Sequence, residues 1–396
     1  MMAIHEKLIE ALQGQKIDDA RELLKSAENM PDNLEDFRNV PVFDILLRAK
    51  AFDIINLFID RGLIETDVYE YDNLDRSFFD VAFRILGNDD ESVKFIEELL
   101  PKLSSINDMV GDKTLLGLAL AQNADPEIIK ALIAGGCDVN TVNNAENTYL
   151  HQIANNYIPE AHLVTSYAKL LIDSGADVNA ANIVAETPLM VAISRNKTEL
   201  AEVLLENGAD ANGQSKDGKT PYYLVTVEQL SLPLYQLLKK YESPDFEKKT
   251  KDGVAFFFEF IKRTNSSSPN TNELIKNMIE DGADVFQGSL HYGVEKTTFD
   301  ILAEKPPEVF ELVVKASGIS TSHTDNDGNT LLHKVAAYDV NYDQNAARDT
   351  YKKTKLLLEL GADAGATNNR DETPMMLASA DNLKSKTVEL LLQNSK

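Results

Sequence analysis

The chain has 396 residues, with 39 Lys and Arg against 64 Asp and Glu, and a formal net charge of −25. That excess repels phosphate backbones and anionic bilayers, so nucleic-acid and lipid binding are disfavoured as general functions. A hydrophobic share of 43% with 26% charged residues is globular, and the lone Cys137 allows neither an internal disulfide nor a thiolate zinc site. In chain order, the first predicted element is a helix pair at Ile4–Asn29, without the apolar run of a signal peptide or a membrane span. The expectation is a soluble, cytoplasmic protein.

From Pro41 onward one pattern returns. Helix starts fall at Pro41, Ser77, Thr114, Thr148, Thr187, Thr220, Ala255, Thr297, Thr330 and Thr373, with spacings of 36, 37, 34, 39, 33, 35, 42, 33 and 43 residues. The clearest starts read TYLHQIA, TPLMVAI, TPYYLVT, TLLHKVA and TPMMLAS. A hydroxyl caps the helix and proline suits its first position. A second helix follows, with triplets such as Val203-Leu204-Leu205 near its end. A glycine turn closes five of the repeats: GCDVN at Gly136, GADVN at Gly175, GADAN at Gly208, GADVF at Gly282 and GADAG at Gly361. Glycine supplies the left-handed turn that other residues resist, and an extended finger such as Gln214–Lys219 leads to the next start. Neither helix buries its apolar face alone, so the repeats must stack.

In these residues the sequence resembles the ankyrin-repeat family, with its Thr-Pro-Leu-His helix start and Gly-Ala-Asp-Val-Asn turn. The best match is Ala185–Asn212, and the resemblance runs from Pro41 to the C-terminus. It implies an all-α ankyrin-repeat solenoid of about eleven helix-turn-helix units with short finger hairpins. The whole chain, 1–396, is expected to form one curved domain without internal boundaries. Within it, 1–39 is a degenerate N-terminal capping unit, 40–111 holds degenerate units, and 112–396 holds recognisable ones, the last acting as the C-terminal cap. Phe-Asp stands for Leu-His at Phe43-Asp44, Phe79-Asp80 and Phe299-Asp300, and AFFF at Ala255–Phe258 departs further. Extra residues near Asn155–Thr165, Thr264–Asn272 and Tyr338–Thr350 are expected between the paired helices, the second, TNSSSPNTN, as a mobile loop.

Isolated chemistry has a plainer explanation in this register. His151 and His333 occupy the position where the family's histidine bonds backbone between neighbouring units. His5, His162, His291 and His323 have no partner at metal-ligand spacing. Cys137 replaces a small packed alanine. Asp217-Gly218, Asp252-Gly253 and Asp327-Gly328 read as hairpin tips; no phosphate loop appears, and Asp325-Asn326-Asp327 lacks the distal glutamate of a calcium loop. No catalytic residue, cofactor or metal is implied.

Charge distribution is uneven. Residues 1–111 carry 24 acidic and 12 basic side chains. One finger holds Glu65, Asp67, Glu70, Asp72 and Asp75 around Tyr69 and Tyr71, which suits a basic partner. The middle carries Lys216, Lys219, Lys248, Lys249, Lys251, Lys262 and Arg263. On the register, the exposed partner-binding positions are Tyr69, Glu70, Tyr71 and Asp72; Ile183, Val184, Glu186 and Arg195; Lys216, Asp217, Lys219 and Glu228; and Lys251, Asp252, Lys262 and Arg263. The resemblance implies a monomeric, non-enzymatic scaffold that binds a protein through the concave finger and first-helix face. Alternatives are an acidic inhibitor or immunity protein against a basic toxin, a bacterial effector secreted into a host cytoplasm, or an enzyme with a cryptic site.

Overall fold

A computed structural model describes residues 4–26 and 41–395. The chain packs as two compact units, residues 1–209 and 210–396. In the first, helices pair in chain order: α1 (Ile4–Gln13) with α2 (Ile17–Leu24), α3 (Val42–Arg48) with α4 (Phe52–Asp60), and α5 (Phe78–Ile85) with α6 (Asp90–Leu99). Then come α7 (Leu115–Ala121) with α8 (Pro126–Ala134), α9 (Tyr149–Asn155) with α10 (Ala161–Asp173), and α11 (Pro188–Ser194) with α12 (Thr198–Glu206). The α1–α2 pair occupies the expected N-terminal cap, of which residues 1–3 and 27–39 lie outside the described residues.

The second unit continues the series. It holds α13 (Pro221–Tyr223), α14 (Leu232–Tyr241), α15 (Phe256–Arg263), α16 (Pro269–Glu280), α17 (Thr298–Ile301) and α18 (Pro307–Ser317). The last two pairs are α19 (Leu331–Ala337) with α20 (Gln344–Glu359), and α21 (Pro374–Ala378) with α22 (Ser385–Asn394). Twenty-two described helices thus make eleven pairs, as the register predicted. The only strands among the described residues are β1 (Ser289–His291) and β2 (Val294–Lys296), one antiparallel hairpin inside a finger. The fold is all-α.

Within each unit, first helices stack on first helices and second on second. So α5 packs between α3 and α7, and α10 between α8 and α12; in the other unit α18 packs between α16 and α20. The core lies between these two layers. Leu189, Ala192 and Leu204 are fully buried, as are Tyr167, Phe257 and Phe310. Burying such side chains against a neighbour is what drives the stacking of helices too short to be stable alone.

All ten column residues stand directly before their helix. Thr187 Oγ1 accepts from the Met190 N–H at 3.4 Å and Thr220 Oγ1 from the Tyr223 N–H at 3.1 Å. Asp300, in the position of the usual histidine, accepts from the Thr297 N–H at 2.8 Å, so it closes a capping box in the histidine's place. Ala255 has no hydroxyl, and Phe258 three residues on cannot accept. Ser289 of the next finger accepts from the Ala255 N–H instead, at 3.1 Å.

The extra residues behave differently from expectation. Those after Asn155 and Tyr338 run partly into the second helix, giving α10 13 residues and α20 16, against 9 in α12. Ser268 caps α16 and Pro269 opens it, so half of TNSSSPNTN is helix rather than loop. Beyond α13 the backbone widens into a π turn over Leu224–Glu228, which the sequence pattern did not announce.

Candidate functional site

Finger tips are built from tight turns that bond one another. In the tip of Asn182–Glu186, Asn182 donates to the Glu186 carbonyl at 3.0 Å and Ala185 takes φ +56°. Its neighbour bonds it directly: the Ile183 N–H donates to the Ala145 carbonyl at 3.0 Å. In the second unit the Lys251 N–H donates to the Asp217 carbonyl at 2.9 Å. Fingers one repeat apart are therefore held as a row.

Between this row and the first helices α7, α9 and α11 lies a groove of about 670 Å³. Carboxamides dominate its wall: Asn143, Asn147, Asn155, Asn156, Asn182 and Gln152. Asn182 Nδ2 donates to Asn147 Oδ1 at 3.0 Å, and Gln152 Nε2 donates to the Gly117 carbonyl at 2.9 Å. Among the described residues no hydrogen bond uses the side-chain NH₂ groups of Asn143 and Asn147, whose Oδ1 atoms alone are engaged. At the groove's end Arg195 Nε donates to Asn155 Oδ1 at 3.0 Å, and Glu186 stands half-buried opposite. Ile183 and Val184 are 49% and 46% exposed on the finger above. The four positions expected here, Ile183, Val184, Glu186 and Arg195, thus come together. The carboxamides were not singled out from sequence, because their common side of the groove appears only once the repeats are stacked.

His151 belongs to the groove wall but is engaged. Its Nδ1 accepts from the Thr148 N–H at 3.2 Å, so the proton sits on Nε2, which donates to the Glu186 carbonyl at 2.9 Å. His333 repeats this with Thr330 and the Glu372 carbonyl. Burial holds both imidazoles below their usual pKa. Cys137 is buried, which pushes its thiol up to about 12; a thiol so disfavoured as thiolate is a poor nucleophile. Among the described residues no cluster of His, Cys, Asp and Glu could hold a metal ion, and no helix is long and apolar enough to cross a membrane.

The acidic finger is only partly available. Tyr69 is 64% exposed and Glu70 and Asp72 are exposed with it. Tyr71 is half-buried instead, its hydroxyl donating to the Glu65 carbonyl at 3.0 Å and its ring edge-on to Phe79. Burial pushes its phenol up to about 12. The Glu65 carboxylate accepts from the Thr66 and Asp67 N–H groups, and Asp75 pairs with Lys113 at 2.7 Å.

The middle basic residues are largely neutralised. Lys251 pairs with Asp217 at 2.6 Å, Lys219 with Glu228 at 2.6 Å, and Lys262 and Arg263 both with Glu259, at 3.3 and 2.6 Å. Lys248 donates to the Asn212 carbonyl. Lys216 and Asp252 are exposed.

A second device escaped the sequence reading. Lysines reach back and cap the first helix of the preceding repeat. Lys197 Nζ donates to the Ile153 and Asn156 carbonyls at 2.7 and 2.6 Å, and Lys305 to the Lys262 carbonyl at 2.6 Å. Lys353 donates to the Ala303 and Lys305 carbonyls at 2.7 and 2.9 Å, and Lys384 to the Ala336 carbonyl at 2.9 Å. A cation suits the negative, partner-poor end of a helix. Burial lowers all four ammonium groups, Lys353 to about 8.

A family model described as ankyrin repeats (3 copies) matches residues 115–215 and 162–252. Among solved structures, the ankyrin repeat domain of Bcl-3, described as a unique member of the IkappaB protein family, is similar at 19% identity with a TM-score of 0.48. The match covers 62% of this chain and 98% of that one. No curated protein matches the chain.

Proposed function

Because this chain is an ankyrin-repeat protein, a fold whose members are generally protein–protein interaction modules, we propose that it is a non-enzymatic scaffold. Its partner presents an extended segment to the groove between the fingers and α7, α9 and α11. The single observation that carries this reading is the carboxamide wall with unused NH₂ groups beneath two exposed aliphatic tips, Ile183 and Val184. Side-chain amides suit a peptide backbone, which offers alternating donors and acceptors along an extended strand, while apolar tips add contact that forms on docking. The test is affinity capture from source-cell lysate with the wild-type chain and with Asn147→Ala/Ile183→Asp/Val184→Asp. A partner retained by the first and lost by the second supports the groove; one held equally by both places the interface elsewhere.

The finger at Tyr69, Glu70 and Asp72 favours a second, compatible reading, in which a basic protein is neutralised by an acidic inhibitor. Its support is the exposure of these three side chains beside an N-terminal quarter with 24 acidic and 12 basic residues.

A further inference from the structure

A second groove, of about 600 Å³, lies between α20 and the start of α22. Ala347, Tyr351 and Leu383 give it an apolar floor, and the cations Arg348, Lys352 and Lys386 stand at its rim. On a chain of net charge −25, three cations around one groove run against the general surface. Lys352 and Lys386 have carboxylate partners on their own helices, the half-buried Asp349 at 3.4 Å and the exposed Glu389 at 2.8 Å. Such surface pairs exchange readily for a better anion. Arg348 is exposed and forms no ion pair among the described residues.

Two further observations converge on the same point. The ten-residue helix α22 begins in this groove at Ser385, continuing directly from a 3-10 turn over Asn382–Lys384, and its N-cap, Lys384, has a donor-only side chain that points to the Ala336 carbonyl. The positive end of the helix dipole at this turn suits an anion. Thr387 also lines the groove, is 1% exposed, and its Oγ1 has no hydrogen-bond partner among the described residues. A buried hydroxyl without a partner is unfavourable unless something else supplies one.

We propose that this groove binds a small organic anion, a carboxylate or phosphate head on an apolar body. The head sits at the first turn of α22 between Arg348 and Lys386 and accepts from the Thr387 hydroxyl; the body lies over Tyr351 and Leu383. This site is independent of the protein-binding groove.

The test is an NMR titration of the full chain, following the amides of Ser385, Lys386 and Thr387. The probes are phenyl phosphate and phenylacetate, which separate the two kinds of head, with inorganic phosphate and phenol as head-alone and body-alone controls. At least one phenyl anion is expected to give saturable shifts at those amides. Inorganic phosphate should bind at least tenfold more weakly, and phenol should leave these amides unmoved. Arg348→Gln, an exposed change that spares the fold, should weaken binding about tenfold, and Thr387→Val should do the same while unfolding at an equal or higher denaturant concentration. No saturable shift with either phenyl anion overturns the proposal, as does phenol binding as well as the anions. A less stable Thr387→Val also overturns it, since the hydroxyl would then have a partner inside the protein. So does a short peptide ending in Phe-Asp that binds where both phenyl anions fail, which would assign the groove to a protein.

Discussion

Ala185 holds a finger tip at φ +56° where Gly218, Gly253 and Gly328 hold theirs at +73°, +74° and +77°. A side chain in the left-handed region is strained, so Ala185→Gly should stabilise the protein by about 0.5–1 kcal/mol. Gly218→Ala should do the reverse and by more, on the order of 1–3 kcal/mol, because its Cβ would stand 2.7 Å from the Lys251 nitrogen and 2.8 Å from the Lys249 carbonyl oxygen. Denaturant titration of the two variants checks both signs. His151 and His333 supply a pH dependence. Their folded pKa values lie below the unfolded value near 6.5, so the unfolded chain binds more protons in that window. Stability therefore rises with pH through it and is lost as pH falls below about 6.5. Denaturation midpoints between pH 5 and 8 should show this slope, and it should flatten in His151→Gln/His333→Gln. These histidines were legible in sequence, because the capping contact lies three residues away. The lysine caps were not, because their acceptors lie 41 to 50 residues back and no local pattern marks them.

The helix pairs were legible as elements, since most starts carry a hydroxyl cap and several second helices end at a glycine. What the sequence concealed is how a repeat absorbs irregularity. Residues added after Asn155 or Tyr338 partly extend the second helix, where more intrahelical bonds form than in a loop. The π turn at Leu224–Glu228 has no local signal at all; Thr226 there is fully buried and its hydroxyl donates to the Tyr222 carbonyl at 2.7 Å. Packing sets the largest energies at this scale. Leu204 is fully buried in α12, so Leu204→Ala should cost about 2–5 kcal/mol. Repeats support one another through their interfaces, so hydrogen exchange should rise beyond Thr187–Asn212 in that variant; a rise confined to those residues would contradict the coupling. Lys353→Ala should cost about 1–3 kcal/mol, since it leaves the Ala303 and Lys305 carbonyls unpaired, measured in the same denaturant assay.

Across the whole molecule, composition indicated the acidic surface, but not which charges are spent internally. Lys251 and Asp217 are 34 residues apart in sequence and meet only because adjacent fingers stack. The basic stretch that the sequence suggested therefore presents little free positive charge, whereas Glu70 and Asp72 remain exposed. If that finger docks a basic partner, reversing both to lysine should slow association and flatten its salt dependence, with a smaller effect on dissociation. Stopped-flow binding to a captured partner at two ionic strengths reads both quantities. Ile183→Asp should act mainly on dissociation, since apolar contacts form after encounter.

The lysine caps bear on how such an array changes length. Lys305, Lys353 and Lys384 each draw their acceptors from the repeat before their own, so every donor needs a predecessor. The acceptors lie at the same end of the first helix in each case, so any repeat that ends its first helix in this way can serve as the predecessor, and a repeat with none before it loses its acceptors. An array cut so that one of these repeats comes first therefore loses the contact that ties its lysine down, and such a terminal repeat needs another residue in that place.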